Sequence, residues 1–174
     1  MKYLRLTTLA LGAALALAGY ADEGHENETT ESSDQAPAME EMEHAHMSAV
    51  GSPAEAAEAD RTIQVVLNDQ MRIVFDDSFS AIQGGETIHF VVTNEGKIPH
   101  EFSVGSDAEQ QAHAAMMRQM PGMMHSDGTT LTLQPGTTAE LTWHFEGEGP
   151  VMFSCNLPGH FEAGMFQHRE LHPE

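Results

Sequence analysis

The chain has 174 residues, with 27 acidic against 7 basic side chains and a formal charge of −20. So acidic a chain offers no basic surface to neutralise phosphates, which excludes nucleic-acid binding. Its single cysteine excludes an intramolecular disulfide, and its length allows one domain with a core large enough to need none.

The N-terminus carries Lys2 and Arg5, an apolar run from Leu9 to Ala18, then small residues. This is the pattern of a secretory leader, cleaved near Ala21 and too short to span a membrane. Tyr20 stands where a lipoprotein leader would have its lipidated cysteine, so neither a lipid anchor nor stable membrane insertion is expected. Removing residues 1–21 takes away two basic residues and no acidic one, leaving −22. Residues 22–60 are rich in Glu, Ser, Thr and Ala and read as a disordered acidic tether. Within it, Met39, Met42, His44, His46 and Met47 cluster where methionine has no core to fill. Either this tract holds a soft metal ion loosely, or it is low complexity or a short amphipathic helix over Ala38–Val50.

The folded domain is expected over residues 61–174. Thr62–Leu67 and Met71–Phe75 are β-branched runs, hence strands, with a turn at Asn68-Asp69. Phe79–Ile82 continues the extended pattern, and Gly84-Gly85 breaks it. In the strand Glu86–Thr93, Ile88, Phe90 and Val92 share one face and His89 lies on the other. After the turn Asn94–Lys97, Pro99 keeps the backbone extended into a strand His100–Val104.

Asp107–Met120 reads as a helix, with Ser106 or Asp107 as N-cap and a stop at Pro121-Gly122. His113, Met116, Met117 and Met120 share one of its faces. Met116 and Met120 are expected to pack on the domain, and Met123, Met124 and His125 to be exposed. Thr129–Leu133 and Thr137–Phe145 are strands, the second with Trp143 and Phe145 inward and His144 outward. Val151–Cys155 and Gly164–Leu171 complete the set, with His168 and His172 on the surface. Many short strands between turn signals, with one helical insertion, indicate an all-β Greek-key β-sandwich.

The chemistry concentrates in Cys155-Asn-Leu-Pro-Gly-His160-Phe-Glu-Ala-Gly-Met165. A strand end fixes the thiol, and a Pro-Gly loop can fold the imidazole and the thioether back towards it. Singly, each has a plainer reading: an inert buried cysteine, a hydrogen-bonded loop histidine, a core methionine. Together, two soft sulfur donors and an imidazole suit copper. A trigonal His2Cys site with a weak axial Met needs one more histidine, and His100, after an upstream strand, is the candidate.

The set His100 with Cys155-x4-His160-x4-Met165 resembles the type 1 copper site of the cupredoxins, the superfamily of plastocyanin, azurin and rusticyanin. Gly85–Asn94, Pro99-His-Glu-Phe102 and the closing loop look like the small periplasmic cupredoxins associated with copper tolerance, over about residues 62–172. The resemblance implies one type 1 copper, with Cys155, His100 and His160 in plane, Met165 axial, and a shell of Phe102, Leu157, Pro158 and Phe161. Many members have Asn after the first His ligand; Glu101 stands there here, which bears on the potential and colour of the site. His113, Met117, Met123, Met124 and His125 form a secondary set, read as an extra copper platform or as packing and partner surface.

Two functions follow. One is a periplasmic, redox-active copper protein of copper tolerance. The other is a soluble one-electron carrier between redox proteins, such as a cytochrome or a copper oxidase, with electrons leaving near His160. No enzyme is expected. Ser154 and Asn156 flank the thiolate where multicopper oxidases have histidines, a dinuclear copper centre needs two cysteines, and structural zinc seldom takes Met.

Overall fold

The computed structural model describes residues 48–79, 81–124 and 126–173. The leader expected at 1–21, the Met39–Met47 cluster and His125 lie outside the described residues. Among those residues the strands are β1 (Gly51–Pro53), β2 (Arg61–Asn68), β3 (Arg72–Phe75), β4 (Ile82–Gln83), β5 (Thr87–Asn94), β6 (His100–Gly105), β7 (Thr130–Leu133), β8 (Thr138–Phe145), β9 (Gly149–Ser154) and β10 (Phe166–His172). A helix, α1 (Asp107–Gln119), interrupts them between β6 and β7.

The strands form two five-stranded sheets, ordered β1-β8-β5-β2-β3 and β4-β10-β9-β6-β7. The β-sandwich with one helical insertion is therefore the observed architecture. The alternation in β5 does what its pattern requires: Ile88, Phe90 and Val92 are fully buried. His89 is half-buried and its Nδ1 lies 2.8 Å from Thr142 Oγ1, on the other face. Phe90 is the centre of an aromatic cluster, with ring centroids 5.5 Å from Phe102 and Phe153 and 5.8 Å from Phe79. Trp143 and Phe145 are buried, and His144 turns outward to Thr87.

The sandwich begins earlier in the chain than the boundary expected at Arg61. β1 adds to the edge of the first sheet, with Gly51 opposite Phe145. Trp143 Nε1 donates to Val50 O at 3.2 Å, and Val50 joins the core. Gly51 has φ of 128°, and a Cβ there would lie 1.9 Å from His144 O, so the close approach of β1 requires glycine.

α1 is capped as its sequence predicts. Ser106 Oγ accepts from the Glu109 N–H, and the Glu109 side chain accepts from the Ser106 N–H, which closes a capping box. Its buried stripe corrects the expectation for the methionines. Gln110, Ala114 and Met117 face inward, whereas Met116 and Met120 are 36 % and 39 % exposed. The helix is turned by about one residue, because it lies over buried polar groups of β6 and β9 rather than over the apolar core. No helix among the described residues is long and apolar enough to cross a membrane.

Phe90→Ala removes a ring that packs on Phe145 of its own sheet and on Phe102 and Phe153 of the other. It should cost the metal-free protein about 3–5 kcal/mol, read as a lower urea midpoint. A loss below about 1 kcal/mol would show that the aromatic cluster does not carry the core.

Candidate metal centre

Three neighbouring strands of the second sheet bring the sequence-selected residues to one end of the sandwich. His100 opens β6, Cys155 directly follows β9, and Met165 directly precedes β10. The register Phe166↔Ser154 sets Cys155 opposite Met165, and Ser103↔Ser154 carries His100 two positions beyond Cys155 at the same end of the sheet. The loop between Cys155 and Met165 is closed by its own backbone. His160 N–H donates to Leu157 O at 2.9 Å, Met165 N–H to His160 O at 3.1 Å, and Cys155 N–H to Met165 O at 3.0 Å. The chain thus folds the imidazole back over the thiol.

The ligand atoms of His100, Cys155 and His160 lie within 4.8 Å of one another, a grouping that the described residues show at this place alone. Cys155 Sγ is 3.2 Å from His160 Nδ1, and the two imidazole centroids are 5.0 Å apart. His100, Cys155 and Met165 are buried and His160 half-buried. His160 is therefore the edge of the site that reaches the surface.

Asp69 decides which nitrogen His100 offers. His100 Nε2 lies 3.1 Å from Asp69 Oδ1. A carboxylate only accepts, so Nε2 carries the proton and Nδ1 keeps its lone pair. Nδ1 is buried and has no hydrogen-bond partner among the described residues. An orphaned buried nitrogen beside a thiol and a second imidazole fits a metal ligand held by an outer carboxylate. Asp69 is itself fixed by the Lys97 N–H, at 3.0 and 2.8 Å to its two oxygens. That bond chiefly holds its carboxyl below the usual carboxylate range, with His100 adding to the effect. A Cβ on Gly96 would fall 2.1 Å from Asp69 Oδ1, so the turn before His100 admits the brace only as glycine. Buried Asn94 ties the same turn, donating to Ile98 O at 2.9 Å and Leu133 O at 3.0 Å.

Electrostatics suit a neutral His160 and a thiol that ionises only with a metal. Burial, then the neighbouring His100, hold His160 below the ordinary imidazole range. Burial pushes the Cys155 thiol up to about 12, against the opposing effect of the Glu101 N–H, which donates to Sγ at 3.2 Å. A thiol and two imidazoles, with Met165 buried at the adjoining strand end, suit copper better than a hard cation.

Glu101 is fully buried. Its Oε2 accepts from the Asn156 N–H at 3.0 Å, while Oε1 has no partner among the described residues. Burial raises its pKa to about 7.

The secondary set separates. Met117 is buried in the stripe of α1, and His113 is half-buried with Nδ1 3.2 Å from Asn156 Nδ2. Met123 and Met124 are 39 % and 63 % exposed. They line a cavity of about 320 Å³ with Ile98, Leu157, Pro158 and His160. His168 and His172 lie apart from the site on β10, His168 with Nε2 2.9 Å from Asp107 Oδ1.

A two-sheet sandwich of this topology is a cupredoxin fold. Among solved structures, the chain is similar to reduced auracyanin from Roseiflexus castenholzii (18% identity, TM-score 0.53, covering 66% of this chain and 99% of that one). It is also similar to auracyanin B (17% identity, TM-score 0.55, covering 71% and 97%). No family model matches the chain. Among curated proteins, the copper-resistant cuproprotein CopI of Vibrio cholerae is 50% identical over 125 residues, covering 72% of this chain and 73% of the relative. CopI of Rubrivivax gelatinosus is 39% identical over 166 residues, 94% of each. The chain belongs to the CopI family of cupredoxin-like cuproproteins.

Two measurements test this site. Asp69→Asn should weaken copper binding about 10–100-fold, read by competition with a chelator, with the fold intact by circular dichroism. Unchanged affinity would show that Asp69 does not orient His100. The second concerns the metal-free protein. A carboxyl whose folded pKa is raised from 4.5 to about 7 binds its proton more tightly when folded. Its stabilising contribution is full below pH 4.5 and is lost as pH rises to about 7. Wild type should lose about 3 kcal/mol more across that window than Glu101→Gln. Parallel stability–pH curves would contradict the assignment.

Proposed function

We propose that this chain is a periplasmic copper protein of copper resistance, with one type 1 copper held by Cys155, His100, His160 and Met165. The observation that carries this reading is the convergence of the buried thiol, the orphaned His100 Nδ1 and His160 within 4.8 Å. Copper bound there supplies one-electron Cu(I)/Cu(II) chemistry.

The chain's own residues do the rest. Asp69 and the Lys97 amide lock the His100 ring. The Glu101 N–H donates to the thiolate and spreads its charge. The loop bonds from Leu157 to Met165 fix His160 and Met165 without needing the metal. Such preorganisation keeps rearrangement small between the two oxidation states. We read the protein as a binding and redox module, not an enzyme. The CopI names of its relatives support the resistance role, and the leader at residues 1–21 supports export. Met123 and Met124 supply soft donors that suit a second, weaker copper beside the first.

One observation favours the alternative of a soluble electron carrier. Half-buried His160 opens on the apolar cavity lined by Ile98, Met123, Met124, Leu157 and Pro158, an edge suited to transient contact with a redox protein.

Titrating the mature metal-free protein with Cu(II) should give an intense thiolate-to-copper band that saturates at one equivalent. Cys155→Ala should lack it. Further equivalents bound without that band, and lost in Met123→Ala/Met124→Ala, would support copper handling. One equivalent only, with fast electron exchange, would support the carrier. A wild type without the band would overturn the type 1 assignment.

A further inference from the structure

The residues on either side of Cys155 are polar and buried, Ser154 at 0 % and Asn156 at 1 % exposure. Both point away from the metal centre, towards α1. There Gln110 meets both of them, and His113 Nδ1 lies 3.2 Å from Asn156 Nδ2 as well. Gln110, 2 % exposed, accepts at Oε1 from Ser154 Oγ at 2.6 Å and from Asn156 Nδ2 at 2.7 Å. Its Nε2 donates to Ser103 Oγ at 3.0 Å, on the strand that begins with His100. The Asn156 backbone N–H is held in addition by Glu101 Oε2 at 3.0 Å.

We propose that α1 is the outer brace of the copper thiolate, with Gln110 as the positioning residue acting through Ser154 and Asn156. The proposal rests on the type 1 reading of Cys155. One amide oxygen fixes both neighbours of the ligand, so a shift of α1 rotates the Cys155 backbone between two held points. Buried, fully partnered polar groups specify one geometry more sharply than apolar packing does. The helix takes a second hold lower on the same loop. Arg118 Nη1 donates to Glu162 Oε1 at 2.8 Å, and Glu162 Oε2 accepts from the Gly159 N–H at 3.0 Å. From Gln110 to Arg118 is about 12 Å of helix axis, so α1 spans the loop from the Cys155 flanks to the turn that carries His160. The Arg118 pair is half-exposed and adds little by itself, which leaves Gln110 as the principal contact.

A purely structural Gln110 would affect stability alone. Positioning moves the copper spectrum as well. Gln110→Met keeps the volume and removes the acceptor. It should still bind one copper, about tenfold more weakly. The ratio of the two thiolate-to-copper bands and the copper hyperfine splitting should shift. In the metal-free protein the backbone amide resonances of Cys155 and Asn156 should move. Gln110→Glu retains the acceptor oxygen and should return the band ratio towards wild type. Gln119→Ala, at the exposed end of the helix, should change none of these. If Gln110→Met loses its near-ultraviolet circular dichroism, Ser103→Ala, which removes the partner of Gln110 Nε2 together with the bond to Thr130 Oγ1, carries the comparison, with Thr130→Val as its control. Unchanged bands and unchanged amides in a folded variant would overturn the proposal. A wild type with no thiolate band would overturn the type 1 reading, and the metal-free amide shifts would still decide whether Gln110 positions Cys155.

Discussion

The hydrogen-bonded register of β6, β9 and β10 is the constraint on which the site depends. β6 supplies a histidine at its start, β9 a cysteine just past its end, and β10 a methionine just before its start. Antiparallel pairing sets these termini side by side. A slip of one residue in either ladder would turn each donor to the opposite face. The ladder continues past the formal strand ends, since the Cys155 N–H reaches Met165 O and the Glu101 N–H reaches Cys155 Sγ. The sulfur is thus treated almost as a further acceptor of the sheet.

Behind that register stands the aromatic core. Phe90, Phe102 and Phe153 bridge the two sheets, and Phe102 and Phe153 are stacked at 5.6 Å. Phe102 lies two residues after His100, and Phe153 two before Cys155. By the period of a strand, these rings share the face of their respective ligands. Core packing and ligand direction are therefore one specification. What fills the sandwich also aims the donors.

The strand ends made much of this legible in advance. The apolar run into Cys155, the Pro-Gly loop and Pro99 before His100 each mark a local backbone event, and local events are written in local sequence. The half-buried His89 and the inward Trp143 followed from alternation. Asp69 did not. It is one of 27 acidic residues in a chain where such residues are ordinary, and only tertiary folding brings its turn to His100, 31 positions away. A glycine at 96 beside a rigid turn was the nearest local trace of it. The methionine face of α1 was misjudged for a related reason. Helical periodicity defines a stripe, but not whether the surface below is apolar. Here that surface is Ser103, Ser154 and Asn156, so a glutamine took the inward place and Met116 and Met120 turned out. Similarly, the acidic composition before Arg61 concealed Val50 and Gly51, two residues that dock because a single apolar side chain and a missing Cβ suffice at a sheet edge.

The charge of the chain and the chemistry of its centre act at different ranges. A strongly acidic surface raises the local concentration of any cation and cannot choose among them. Beyond about 8–10 Å at physiological ionic strength that field is screened. On the type 1 reading, selection would fall to the buried sulfur and nitrogen atoms, from which carboxylates are held apart. Asp69 is kept one imidazole away, and Glu101 is turned to the Asn156 amide. A hard cation would meet sulfur and nitrogen there, which hold it poorly, and a soft one would meet its preferred donors. On the type 1 reading, charge would draw cations in without discrimination, and the strand ends would discriminate among them.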